Sequence, residues 1–411
     1  MEKFGLIGKT LKHSYSGKIH AMLGEYSYSL VEIMENDLEK FVLGKEYKGY
    51  NVTIPYKEAI IPYLDELDKS AQEIGAVNTV VNKNGKLIGY NTDIYGMDYA
   101  MQRAGIVLKN KVVLVLGSGG TSKTATALAK EQGAKKVLIL SRNGDINYQN
   151  YTDNKDVQVI INTTPIGMYP NNYDCKIDLD SFPLLEGVFD AVYNPNLTYL
   201  TCLAKKKGIK YSNGLPMLVA QAKGAMQLFL EREVSNQVVE KVLSVLEKQT
   251  LNVVLVGMSG VGNSTIAKVL AKSLGRDLVD TDQLIVQKAG KDIPTIFNEF
   301  GEEYFRKVEG EVVKEVGALS GKVIATGGGV VVKQENYFPL KQNGVIFFIN
   351  RDLSLASRKG RPLATSLDAV KQLFEKRKPM YQAFADCTIS NDKQIEDTVK
   401  EILLSYENFS Y

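Results

Sequence analysis

Two apolar runs, each emptying into a glycine-rich loop, constrain this chain more than any other feature. The first, Lys111-Val-Val-Leu-Val-Leu116, leads into Gly117-Ser118-Gly119-Gly120-Thr121-Ser122. The second, Asn252-Val-Val-Leu-Val256, leads into Gly257-Met258-Ser259-Gly260-Val261-Gly262-Asn263-Ser264-Thr265. Each reads as a buried strand that delivers the chain to a helix N-terminus, where unpaired N–H groups can face a phosphate. The first loop has the shape of a dinucleotide fingerprint, with Ser122 at its third glycine position. The second has the spacing of a nucleoside-triphosphate loop, but Asn263 stands where a lysine is required.

The surrounding patterns place both loops in α/β folds. After the first loop, Thr121–Gln132 reads as a helix closed by Gly133, and strands follow at Val137–Leu140, Val157–Ile161 and Val188–Val192. Strand and helix in alternation imply a parallel sheet. The same plan restarts after residue 251, with strands at Val253–Val256, Val323–Ala325 and Val345–Ile349. Upstream, residues 1–93 carry short strand-like runs at Phe4–Gly8, Tyr28–Met34, Tyr50–Ile54 and Val77–Val81. The last turns at Asn84-Gly85, a hairpin signal, into Lys86–Tyr90. Residues 215–247 read as two helices, the second capped by Ser235. No Pro/Gly/Ser-rich stretch follows, so the join to residue 251 is expected to be short and helical.

With 411 residues the chain has room for two to three domains, each with its own core. A net charge of +3 gives no reason to expect nucleic-acid or membrane partners. The three cysteines, Cys175, Cys202 and Cys387, are scattered and odd in number, which argues for the reducing cytoplasm and against a disulfide framework or zinc site. No apolar run reaches the length of a membrane span, and the first residues lack the apolar core of a secretion signal.

The strand after the first loop ends in Ser141-Arg142-Asn143. An acid at this place holds the ribose hydroxyl of NAD, whereas an arginine suits the 2′-phosphate of NADP. The cofactor set is therefore Gly117, Gly119, Gly120, Thr121, Ser141, Arg142 and Asn143, with Lys123 available as a second phosphate contact. Four upstream segments are dense in neutral hydrogen-bonding groups: His13-Ser14-Tyr15-Ser16, Asn51-Val-Thr53-Ile-Pro-Tyr-Lys57, Gly75-Ala-Val-Asn78-Thr79 and Asn91-Thr-Asp93. Each alone is ordinary turn chemistry. Together, with one lysine and one aspartate, they suit a small polyhydroxylated ligand. The two histidines, His13 and His20, read as turn and helix-face residues.

These motifs, with Asn162-Thr-Thr-Pro-Ile-Gly-Met168, Asp190-Ala-Val-Tyr193-Asn-Pro195 and Gly214-Leu-Pro-Met-Leu-Val-Ala-Gln221, resemble shikimate dehydrogenase over about residues 1–245. The resemblance implies a substrate-binding domain over 1–93, completed by helices 215–247, and a Rossmann NADP-binding domain over 94–214. It implies Lys57 and Asp93 as the catalytic pair. Ser14, Ser16, Thr53, Asn78, Asp93 and Gln221 would hold the substrate, with Tyr193 beside it. The activity it implies is NADPH-dependent reduction of 3-dehydroshikimate to shikimate. The alternative is an NAD-using quinate/shikimate dehydrogenase.

In the second half, Val279-Asp280-Thr281-Asp282, Gly301-Glu-Glu-Tyr-Phe-Arg306-Lys-Val-Glu309, Ile324-Ala-Thr-Gly327-Gly328-Gly329, Arg361-Pro-Leu and Lys376-Arg377 follow the second loop in an order that resembles shikimate kinase over about 250–405. The resemblance implies a P-loop domain with a central parallel sheet. Gly257, Gly260, Gly262, Asn263, Ser264 and Thr265 would cradle ATP, and Ser264 and Asp280 would hold Mg2+. Asp282 would grip the shikimate hydroxyls and accept a proton, Arg306 and Arg377 would clamp its carboxylate, and Gly328 and Gly329 would add backbone contacts. Arg361 would close over the γ-phosphate. A bidentate arginine fits a carboxylate better than lysine does. Asparagine at 263 brings a hydrogen bond but no charge, so two readings stand: a slow kinase completing a bifunctional enzyme, or an impaired kinase-like binding module fused to a dehydrogenase.

Overall fold

Three sheets carry the chain. The structure, a computed structural model, describes residues 2–11, 14–352 and 367–409. It divides into two units, Met1–Val245 and Leu246–Tyr411, and the division falls inside helix Gln237–Thr250.

The first unit opens with a mixed six-stranded sheet: β1 (Phe4–Gly8), β2 (Tyr28–Glu32), β3 (Gly49–Val52), β4 (Glu66–Leu67), β5 (Thr79–Lys83) and β6 (Lys86–Tyr90), in the order β2-β1-β3-β5-β6-β4. β1 runs parallel to β2 and β3, whereas β5 is antiparallel to β3 and β6. The β5–β6 hairpin turns at Asn84 and Gly85, with φ of 54° and 86°, as a two-residue Asn-Gly turn demands. In register, Asn51 faces Thr79 across β3 and β5.

The unit's second sheet is wholly parallel: β7 (Val112–Leu116), β8 (Lys136–Leu140), β9 (Val159–Asn162), β10 (Gly187–Asp190) and β11 (Lys210–Ser212), in the order β11-β10-β9-β7-β8. Val113 and Val115 face one core with Ile161, while Val112, Leu114 and Leu116 face another with Ile160 and Val188. Helices cover both faces, which explains unbroken apolar strands. The strand order reverses beside β7. Ligands of open α/β sheets sit at the carboxyl ends of strands at such a switch point.

Helices Asp93–Arg103 and Leu215–Leu230 pack closely in this unit. Gly96 permits the approach: a Cβ there would lie 2.5 Å from the Met217 carbonyl oxygen and 2.9 Å from Gln221 Cβ. An alanine at 96 would push these helices apart and carry Gln221 away from Asp93.

The second unit is built on a parallel sheet of β12 (Asn252–Val256), β13 (Leu278–Asp280), β14 (Val323–Ala325), β15 (Gly344–Asn350) and β16 (Cys387–Ser390), in the order β13-β14-β12-β15-β16. Its switch point is β12, which delivers the second glycine loop to helix Asn263–Leu274. Long helix Ile293–Gly317 is two helices joined across a kink at Gly301. Among the described residues, no helix is long and apolar enough to cross a membrane.

Candidate active sites

In the first unit the cis Ile54–Pro55 bond precedes the short helix Tyr56–Ala59, which carries Lys57, and Asp93 opens helix Asp93–Arg103. Lys57 Nζ donates to Asp93 Oδ2 at 2.5 Å. A carboxylate in a first helical turn is favoured by the helix dipole. The other Asp93 oxygen, Oδ1, accepts from Asn78 Nδ2 at 2.9 Å, and Asn78 also reaches Gln221 Oε1 at 3.3 Å. This cluster opens into a cavity of about 440 Å³. Ser14, Ser16, Thr53, Asn78, Tyr193 and Gln221 line it with Lys57 and Asp93, so the structure brings every substrate residue expected in this half to one space. Tyr193 is held against the ring of Tyr15 at 5.5 Å, and burial raises the proton affinity of its hydroxyl.

The cofactor loop meets the same cavity, since Thr121 also lines it. Gly119 and Gly120 face open space, leaving room for a pyrophosphate against the N-terminus of helix Gly120–Glu131. Ser122, at the third fingerprint position, turns its hydroxyl back to the Gly117 carbonyl at 2.7 Å and braces the turn. Arg142 is exposed at the end of β8, flanked by Ser141 and Asn143. Open cradle, helix terminus and exposed cation fit a dinucleotide with a 2′-phosphate. Lys123, the further candidate for a phosphate contact, forms an exposed ion pair with Glu58 at 2.9 Å.

Two buried groups flank this site. His20 lies in helix Ser16–Leu23 on its buried face: it is 1% exposed, stacked on Tyr28 at 3.7 Å, and bonded through Nδ1 to the Tyr26 hydroxyl. Burial lowers its pKa to about 3, which keeps it neutral. His13 lies outside the described residues. Asp190, at the end of β10, accepts from Asn162 Nδ2, the Val192 N–H and the Thr198 hydroxyl at 2.9, 3.0 and 2.7 Å. Burial still pushes its pKa up to about 7.

In the second unit, Asn263 is the first residue of helix Asn263–Leu274 and is buried. Its Nδ2 reaches only the Gly257 carbonyl, at 3.4 Å, and its buried Oδ1 has no partner. Gly260 and Gly262 hold positive φ of 81° and 109°, which curls the loop toward Ser264 and Thr265. Ser264 Oγ donates to Asp280 Oδ2 at 3.0 Å. A hydroxyl and a carboxylate in contact at the mouth of a glycine loop are hard oxygen donors of the kind Mg2+ takes. Asp280 also caps helix Thr281–Ala289 through Oδ1, accepting from Asp282 N at 3.0 Å.

The three glycines after β14 separate the working parts of this unit. A Cβ on Gly327 would strike Asp282 Oδ1 at 2.4 Å, on Gly328 the Ser259 N–H at 2.6 Å, and on Gly329 the Arg306 guanidinium at 2.2 Å. Arg306 is buried between Glu309 Oε2 at 2.8 Å and Glu302 Oε1 at 3.0 Å. Arg377 Nη1 and the Tyr381 hydroxyl both donate to the Gly328 carbonyl, at 3.0 and 2.5 Å. Asp282 has its pKa raised to about 6 by burial and by the charges of Asp280 and Glu309, against the opposing pull of Arg306. Arg361 lies outside the described residues.

Several contributors stand in the quoted motifs without an assigned role, and one stands outside them. Asn51 lines the cavity, and Met168, Met217 and Leu218 form its apolar wall. Glu309 was legible only as the i,i+3 partner of Arg306. Asn391 had no signal: its Nδ2 donates to the Val261 carbonyl at 2.7 Å and braces the second loop from β16.

Comparison with known proteins agrees with this geometry. Residues 6–80 match the family model "Shikimate dehydrogenase substrate binding domain", and residues 259–407 match "Shikimate kinase". The shikimate dehydrogenase (NADP(+)) of Clostridium beijerinckii is 35% identical over 268 residues, covering 61% of this chain and 99% of that protein. That of Methanococcus maripaludis is 37% identical over 266 residues, 58% of this chain and 95% of the relative. Among solved structures, the chorismate mutase/shikimate 5-dehydrogenase fusion protein from Clostridium acetobutylicum aligns with a TM-score of 0.58 and 32% identity, over 60% of this chain and 97% of the other. The Thermus thermophilus shikimate 5-dehydrogenase, solved with NADP(H) and shikimate, aligns with a TM-score of 0.54 and 29% identity, over 59% and 98%. The chain thus belongs to the shikimate dehydrogenase family and carries, C-terminal to that part, a region that matches the shikimate kinase family model.

Proposed function

We propose that the first unit reduces 3-dehydroshikimate to shikimate with NADPH, and that the second phosphorylates the 3-hydroxyl of shikimate with MgATP, slowly. The Lys57–Asp93 contact, 2.5 Å long and set in a cavity of neutral hydrogen-bonding groups, carries the first assignment. The bound dinucleotide supplies the hydride. Lys57 supplies a proton to the ketone oxygen as negative charge builds there, and Asp93 orients the ammonium and shares its proton. Ser14, Ser16, Thr53, Asn78 and Gln221 hold the ring hydroxyls and carboxylate, and Tyr193 closes the cavity beside them. Arg142 selects the 2′-phosphate.

For the second unit, Asp282 takes the proton of the attacking hydroxyl, and its raised proton affinity suits that task. Arg306 and Arg377 bind the ring carboxylate, with Gly328 and Gly329 close by. Ser264 and Asp280 hold Mg2+, which offsets phosphate charge when bound. Position and charge carry most of such a reaction, so the neutral Asn263 makes it slow. The inward turn of Asn263 favours a second reading, in which this unit binds shikimate without turnover. All three cysteines are free thiols, in keeping with a cytoplasmic enzyme of aromatic amino-acid biosynthesis.

A coupled assay on the purified chain, following NADPH loss with 3-dehydroshikimate and ADP formation with shikimate, tests both units. NADPH loss without ADP formation would leave the second unit a binding module. Absence of both would remove the assignment.

A further inference from the structure

Asp93 offers two oxygens to two different donors. Lys57 takes Oδ2 and Asn78 Nδ2 takes Oδ1. The second bond depends on which way the Asn78 amide faces. A backbone N–H can only donate, and that of Thr92 lies 2.7 Å from Asn78 Oδ1. The amide nitrogen therefore points at Asp93.

Behind Asn78 runs a line of side chains of which Asn51 borders the cavity, while Thr79 and Tyr28 do not. Thr79 Oγ1 lies 3.1 Å from Asn78 Oδ1 and 3.2 Å from the Thr92 hydroxyl. Asn51 Nδ2 donates to Thr79 Oγ1 at 3.0 Å and to the Asn78 carbonyl at 3.2 Å. The Tyr28 hydroxyl donates to Asn51 Oδ1 at 2.7 Å. A backbone carbonyl only accepts, so the Asn78 carbonyl fixes Asn51 with its nitrogen toward Asn78 and Thr79 and leaves Asn51 Oδ1 to accept from Tyr28. Having accepted one hydrogen, Thr79 turns its own toward Asn78 Oδ1 or Thr92. From Tyr28 through Asn51 to Thr79 the bonds thus run in one direction. The register of β3 against β5, which sets Asn51 opposite Thr79, makes the line possible.

Thr79 is fully buried and does not line the cavity, so it has no access to a ligand. We propose that Thr79, supported by Asn51 and Tyr28, is a positioning residue of the dehydrogenase. It holds the Asn78 amide and Thr92 so that Asp93 keeps Oδ2 for Lys57. The proposal rests on the reading of Lys57 and Asp93 as the catalytic pair. A hydroxyl lost at Thr79 leaves one of the two Asn51 amide hydrogens unpaired and removes one of the contacts that hold the Asn78 amide, which an apolar residue of the same shape cannot repair.

The test uses the full chain with shikimate and NADP+ over about pH 6 to 10, the range in which such a pair reports. Thr79→Val keeps the shape and removes the hydroxyl, whereas Thr79→Ser restores it. Thr79→Val is expected to lower kcat about tenfold, the scale of one buried hydrogen bond lost. It should leave KM for shikimate within about twofold and move the midpoint of the kcat–pH profile by about half a unit or more. Thr79→Ser should return kcat and midpoint most of the way. An unchanged profile in Thr79→Val, or equal impairment in Thr79→Ser, would overturn the proposal. If Thr79→Val does not fold, Tyr28→Phe, which removes the first donor of the line, decides by the same two readouts. Lys57→Ala, measured alongside, separates the two readings: full activity there removes the catalytic pair and the proposal together. An inactive Lys57→Ala beside an unaltered Thr79→Val removes the positioning role alone.

Discussion

Asn263 turns its amide onto the Gly257 carbonyl, 3.4 Å away, at the point of the loop where a cation would bridge phosphates. The contact is long, and the amide oxygen behind it is buried with no partner. The residue fills the place of a lysine without supplying its charge. Restoring the charge by Asn263→Lys is expected to raise shikimate-dependent ADP formation by at least about tenfold, given what one transition-state stabiliser contributes. A variant no faster than the parent would show that the neutral loop is not what limits this unit.

Lys57→Ala in the first unit should lower kcat by about 10²- to 10⁴-fold, the range of a lost proton donor, with a much smaller change in KM. Initial rates with 3-dehydroshikimate at saturating NADPH measure it. A kcat equal to that of the parent would take Lys57 out of the mechanism.

Arg142 stands exposed at the end of β8, with Ser141 and Asn143 beside it. Its replacement by alanine should lower kcat/KM for NADPH by about 10- to 100-fold, the worth of a hydrogen bond to a charged group, and leave NADH nearly unaffected. Parallel titration of the two dinucleotides gives the ratio. A parent enzyme that prefers NADH would contradict the assignment at once.

Asp190 binds its proton far more tightly in the fold than in the open chain, with a pKa raised to about 7 from 3.8. The folded state thus holds one proton more between those values. Its contribution to stability is present below about pH 4, is lost as pH rises toward about 7, and is on the order of a few kcal/mol. Asp190→Asn carries no such proton. Thermal unfolding of parent and variant from about pH 5 to 8 should show a steeper loss of Tm with pH in the parent. Parallel slopes would mean that Asp190 is ionised throughout.

Much of this architecture is legible in the sequence because strands buried on both faces leave unbroken apolar runs. Leu116 and Val256 end two such runs, and the glycines that follow mark the switch points of their sheets. The motifs showed one lysine and one aspartate among amides and hydroxyls, and the resemblance to shikimate dehydrogenase implied that Lys57 and Asp93 act as a pair. The partners of those residues were not legible in this way. Thr79 and Asn51 meet through strand register, a relation between positions 28 apart that local pattern does not encode. The ion pair of Lys123 with Glu58, remote in sequence, is likewise invisible to local pattern. His20 was readable as a helix-face residue, but one histidine carries no sign of the tyrosines that enclose it.

The run Gly327-Gly328-Gly329 leaves evolution almost no room. Each position is closed to a Cβ by a different neighbour: an acidic side chain, a backbone amide of the phosphate loop and a guanidinium. No compensating change at one of these neighbours relieves the other two. Drift can therefore alter the charge at position 263 and leave the scaffold standing, whereas any residue larger than glycine in this run displaces a part on which acceptor or donor binding depends. The middle position is the strictest of the three, because the neighbour of Gly328 is backbone of the second glycine loop, whereas Asp282 and Arg306 can swing aside from a methyl group at 327 or 329.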